Sequence, residues 1–150
     1  MTNPRCVAIV LTLTFAAATP ALGQEPSAAG RIKVASGAAF IVRDTGLIPA
    51  QIGQVVFEAD RLRTGADGRI GVMLMDDTRI SLGPGSEARL DRFVYAPAEG
   101  RFGFVFKIVH GVAAYVSGQM AKLSPDSMRL ETPTAIVGVR GTSLAIRVVP

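Results

Sequence analysis

From Arg31 onward, apolar residues recur at every second position in short runs, and turn-forming residues interrupt each run within a few positions. This is the period of half-buried strands. Arg31-Ile32-Lys33-Val34 places its two apolar side chains on one face and both cations on the other. Phe40-Ile41-Val42 is a second short strand. Pro49, which cannot donate to a ladder, marks residues 47–53 as an edge or a connection. Arg61-Leu62-Arg63-Thr64 runs into Gly65-Ala66-Asp67-Gly68, where Gly65 and Gly68 are expected to supply positive φ to a turn. Ile70, Val72 and Leu74, then Ile80 and Leu82, face inward across a predicted hairpin turned at Asp76-Asp77. Gly83 and Pro84 break the chain before Ser86.

The run from Ala88 to Tyr95 is less regular. Leu90 and Val94 share a period-two face with Arg92, which predicts either a bulge or a half-buried face. Phe102, Phe104, Phe106 and Ile108 fall on one face and are expected to supply much of the core, each contributing about 1.5–3 kcal/mol on burial. His110-Gly111 predicts a turn into residues 112–117. Further strands are predicted at 128–131, 135–139 and 143–149. No stretch of a dozen residues repeats apolar positions at three and four. The expected fold is therefore all-β, a compact sandwich or β-roll of about eight to ten short strands; the pattern does not choose between the two.

The first residues follow a different rule. Arg5 precedes an apolar run from Val7 to Ala18, and Ala21 and Gly23 stand at the −3 and −1 positions of an export cleavage site before Gln24. The run is shorter than the roughly 20 apolar residues that span a bilayer. Residues 1–23 are thus expected to be a signal peptide, 24–30 a linker and 31–150 one β domain, in the periplasm or secreted. Contact with a membrane is expected only through an uncleaved signal. Cys6 lies within that signal, so the exported chain would carry no thiol. Residues 24–150 hold 15 basic and 12 acidic side chains, a mild surplus that does not by itself indicate nucleic acid.

Candidate chemistry is sparse. His110 is the single histidine, and no Gly-x-Ser-x-Gly accompanies it. Asp76-Asp77 lacks a third oxygen ligand at calcium-loop spacing, so a turn is the better reading. Residues 65–68 lead into a strand rather than a helix N-terminus and are not a phosphate loop. Met73, Met75, Met120 and Met128 are expected to pack rather than bind copper. No enzyme activity, cofactor, metal or nucleic-acid partner is expected. Arg61, Arg63, Arg69 and Arg79 could form a cationic face, which keeps a cell-wall carbohydrate or peptidoglycan binder as the alternative.

Three segments resemble the periplasmic FecR domain. Asp60-Arg61-Leu62-Arg63-Thr64-Gly65 is similar to its Gly-Asp plus Thr-Gly element, with Ala59 where a glycine is usual, so a local difference in that turn is expected. Asp77-Thr78-Arg79-Ile80-Ser81-Leu82-Gly83-Pro84-Gly85-Ser86 is similar to Asp-Gly-Ser-x-Leu-x-Leu-x-Pro-x-Ser, with Thr78 in place of the glycine. Thr132-Pro133-Thr134-Ala135-Ile136-Val137-Gly138-Val139-Arg140-Gly141-Thr142 completes the set. The resemblance runs from about Gly30 to the end. It implies a non-catalytic module that binds another envelope protein, accessory to sensing or signalling. With no cytoplasmic segment in the chain, direct sigma-factor contact is not carried over.

Residue by residue, Pro133 is expected to force extended backbone at Thr132, and Gly138 and Gly141 to permit a bulge or a close backbone approach around Arg140. Arg140 would either grip a partner carboxylate or tie down carbonyls of its own domain. The sequence given stops eight residues after Thr142. FecR-type domains commonly continue past this point with further strands, so either those strands are dispensable, or the product is shortened, or the strand containing Leu144, Ile146 and Arg147 is an open edge available for strand addition.

Overall fold

The computed structural model describes Gly23 and residues 26–141 and 143–150. The rest of the expected signal segment, Gln24, Glu25 and Thr142 lie outside the described residues. Twelve strands appear in chain order: β1 (Ala28–Ser36), β2 (Ala39–Arg43), β3 (Gly46–Pro49), β4 (Val55–Phe57), β5 (Arg61–Thr64), β6 (Arg69–Leu74), β7 (Arg79–Leu82), β8 (Glu87–Ala96), β9 (Arg101–Val116), β10 (Met128–Glu131), β11 (Ile136–Gly138) and β12 (Ser143–Val148). One helical turn, α1 (Met120–Leu123), follows β9. The fold is all-β, as the alternation implies, with more strands than the eight to ten expected because residues 46–57 contribute two short ones.

The strands bond into one curled sheet folded along β9. Residues 101–110 of β9 pair with β8, and through it with β5, β2 and β3 in turn; β10 lies parallel on the other side of this stretch and carries β11. Residues 111–116 instead sit between β7 and β12, with β6, β1 and β4 beyond β7. The two halves enclose one core. Phe104, Phe106 and Ile108 are fully buried in it, while Phe102 sits half-buried at its rim against Tyr95.

The bend in β9 corrects the turn expected at His110-Gly111. The chain stays in the ladder there and changes partners. Gly111 takes φ 93°, and a Cβ on it would stand 2.3 Å from Ser86 Oγ. Only glycine fits that combination of twist and close approach.

In β8 the expected bulge is present between Leu90 and Arg92, and it gives the inward position to Phe93 in place of Val94. Gly65 and Gly68, by contrast, have no positive φ. They are needed because Ala38 passes over the loop: a Cβ on Gly68 would lie 1.9 Å from Ala38 O. Residues 28–30, expected as linker, belong to the sheet: β1 begins at Ala28, Ala29 is buried, and Gly30 lies close against Met73 and Leu74.

Candidate interaction site

Most polar residues of the recognisable motifs are consumed inside the fold. Asp60 is buried and accepts hydrogen bonds from Arg43 Nε and Nη2, both at 2.7 Å, and from the Phe57 amide at 2.8 Å. The Asp60 hydrogen bond holds the Arg43 guanidinium above its ordinary range, with partial burial opposing. Arg43 also covers the Phe57 ring at 4.8 Å from its centroid. Ala59 takes left-handed backbone, φ 71°, a conformation that favours glycine and strains a residue with a Cβ.

A second set closes the corner beneath the β9 bend. Thr64 Oγ1 donates to Gly83 O and accepts from the Ser86 amide, while Ser86 Oγ accepts from Val112 N and approaches Val112 O. A third set organises the β6–β7 turn. Asp76 is buried; its carboxylate accepts from Thr78 Oγ1 at 2.7 Å and from the amides of Thr78 and Met120. Thr78 Oγ1 in turn accepts from Gly118 N. The threonine that replaces the usual glycine is therefore a linking hydroxyl, and the positive φ of this turn falls on Asp77, at 66°. Asp-Asp does not make a two-residue turn; residues 75–78 form the loop.

The expected partner residues divide. β12 is bonded to β9 along one side only, and among the described residues no strand pairs with its other side. Leu144 and Ile146 are half-buried and pack on the core, so their side chains are not offered outward. Ala145 and Arg147 are exposed on the opposite face. Arg140 is exposed and pairs with Asp126 at 3.6 Å across solvent; among the described residues it hydrogen-bonds no carbonyl. Such a pair contributes little.

A Cβ placed on Gly138 would meet nothing within 4 Å, and its φ is not positive, so the close approach expected there is absent, whereas Gly141 has φ 60°. Pro133 lies in the β10–β11 turn, which Thr132 closes by donating its amide to Ala135 O and accepting the Ala135 amide on Oγ1. Pro84 follows Gly83 in the exposed β7–β8 turn, and the Gly83 amide donates to Val112 O.

The cationic stripe proposed from Arg61, Arg63, Arg69 and Arg79 is not one stripe. Arg61 and Arg63 belong to the β8-paired half and face Glu87 at 3.1 and 3.8 Å. Arg69 and Arg79 lie on the other half, exposed and without ion pairs among the described residues. His110 Nδ1 lies 3.1 Å from Gly85 O, and its Nε2 3.8 Å from Glu87. A groove of about 760 Å³ is lined by Arg43, Phe57, Asp60, Arg61, Arg89 and Asp91 among others. Arg43 pairs with Asp60 there and Arg61 with Glu87, and Asp91 hydrogen-bonds Arg89 and holds that guanidinium above its ordinary range, with Glu131 adding to the effect; Asp44 and Glu58 also line the groove. Sequence spacing could not separate paired from unpaired arginines, because pairing depends on which strands become neighbours.

The same motif residues account for the likeness to known proteins. The family model described as FecR protein matches residues 60–149, more than half of the chain. The chain belongs to the FecR family. The match begins at Asp60 rather than near Gly30, although β1 and β2 are integral to the FecR fold seen here. No curated protein and no solved structure matches the chain. FecR domains are regulatory, non-catalytic and typically periplasmic, so this is a signalling-related domain of periplasmic type. Among the described residues no helix is long and apolar enough to cross a membrane.

Proposed function

We propose that this FecR domain is an accessory interaction module of the envelope, reached by export and signal cleavage, which presents the backbone edge of β12 to a partner protein. The observation that carries the reading is the character of that edge. Among the described residues four strands end the sheet: β3, β4, β11 and β12. β4 and β11 are three residues long, and β3 has four and ends in Pro49. β12 runs six residues without proline, bulge or acidic side chain, and carries one charge, Arg147. Long unprotected edges are templates for strand addition, in which backbone bonds give affinity and alternate side chains give selectivity.

Amide exchange tests it. In the dilute isolated chain, alternate amides between residues 143 and 148 are expected to exchange rapidly, and to become protected when a partner crosslinked through position 147 is bound. Uniform slow exchange in the isolated monomer would mean that the edge is already covered, and the reading fails.

A further inference from the structure

The half of the sheet that holds β12 has an outer face of unusual charge. Arg31, Lys33, Arg69, Arg79 and Arg147 stand on β1, β6, β7 and β12, and all five are exposed. No Asp or Glu stands on any strand of this half, counting β1, β4, β6, β7, residues 111–116 of β9, and β12. Five of the chain's 16 Lys and Arg are therefore here, with none of its 12 Asp and Glu. None of the five makes an ion pair among the described residues; the paired cations are Arg43, Arg61, Arg63, Arg89, Arg101, His110 and Arg140. Acids stand in segments bordering the half: Asp67, which accepts from Ala38 N, buried Asp76, exposed Asp77, and Glu58 just after β4, which accepts from Phe93 N.

The centre of this face carries mostly small side chains. Register aligns Val34, Gly71, Ser81, Ala114 and Ala145 side by side across five strands, a span of about 19 Å. Val34, Gly71, Ser81 and Ala114 line an open depression of about 430 Å³ together with Arg69. The half's aromatic rings are engaged elsewhere, Phe57 beneath Arg43 and Tyr115 in the core. Its strands carry no Asn or Gln.

We propose that this face docks the domain on an anionic lipid bilayer. A sugar site would need convergent polar groups, and a specific protein site would need a large aromatic or guanidinium anchor seated in a pocket. Among the described residues this face has no free aromatic ring, Asn or Gln to serve either, and its depression is lined mainly by small and aliphatic side chains. A bilayer surface of negative charge asks only for clustered cations without ion pairs on an exposed face, and attracts each of them within a Debye length. The proposal does not depend on strand addition at β12.

The test uses the full chain with vesicles of phosphatidylcholine alone or with phosphatidylglycerol, at about 0.05 and 0.3 M salt. Affinity for the anionic vesicles is expected to fall roughly fivefold for each cation lost and to weaken at the higher salt. R69E/R79E/R147E should abolish the difference between the two vesicle types. K122E/R129E/R140E, an equal charge change elsewhere, should retain it.

Any N-terminal apolar segment is common to all variants. To report on the face itself, a polarity-sensitive dye is placed at Ala114→Cys in a Cys6→Ser background, and its emission should shift to the blue on anionic vesicles alone. Equal losses in the two triple variants, an unchanged dye, or binding to isolated sacculi but not to anionic vesicles would each overturn the proposal. Thermal melting of both triple variants, which alter exposed side chains, establishes that they are folded.

Discussion

Ala59 is held at φ 71° by its neighbours: its amide donates to Leu90 O at 2.7 Å, and Leu90 N donates to Asp60 O at 3.0 Å. A left-handed backbone costs a Cβ-bearing residue about 1–2 kcal/mol, part of which glycine gives back through the entropy of its unfolded chain. Ala59→Gly is expected to stabilise the domain by about 0.5–1 kcal/mol, read as a higher denaturant midpoint at unchanged slope. An unchanged or lower midpoint would mean that this backbone is not strained. The identity of the residue was plain from sequence, and its departure from the family's glycine was plain too. Its left-handed backbone was not legible, because the hydrogen bonds that hold it run to Leu90, 31 residues along the chain.

Strand β9 is the element on which the architecture turns. Its first ten residues belong to one half of the sheet and its last six to the other, and Gly111 lies where the partners change. Gly111→Ala would meet both an unfavourable φ and Ser86 Oγ, and is expected to cost about 3 kcal/mol or more. Gly138→Ala serves as the contrast: β11 leaves open space there and an ordinary φ, so a change within about 0.5 kcal/mol is expected. Equal melting losses in the two variants would refute the hinge role of Gly111. Both glycines looked alike in sequence, each flanking an apolar run. The distinction comes from Ser86, which is 25 residues away along the chain and adjacent in space.

At the scale of the whole molecule, the two halves share one core, and Tyr115 lies across their boundary with its ring 5.9 Å from that of Phe104. Burial pushes the Tyr115 phenol above its ordinary value of 10.0, with hydrogen bonding from Ser117 and Thr78 pulling the other way and the charge of Asp76 adding to the rise. The unfolded chain therefore loses this proton first as pH rises. The stabilisation is fully present below pH 10 and is lost as pH climbs through the raised folded value. Tyrosinate absorbance from Tyr115 is expected to appear together with loss of secondary structure in one alkaline transition, and Tyr115→Phe should push that transition to higher pH. Ionisation of Tyr115 in a chain that stays fully folded would contradict the burial.

Alternation of apolar and polar residues determined by itself that this chain is all-β and that Phe104, Phe106 and Ile108 lie in its core, because period and side-chain size are local properties; it left a bulge or a half-buried face open in β8, and the structure chose the bulge. Motif spelling likewise pointed to the FecR family. Tertiary structure alone decided that β9 bends instead of turning, that Gly68 yields to Ala38, that Leu144 and Ile146 point into the core, and that the arginines split into a paired group and a bare one. Each of these depends on which backbone comes to lie beside which. That is set by ladder register between residues far apart in the chain, and a period of two leaves the order of strands open.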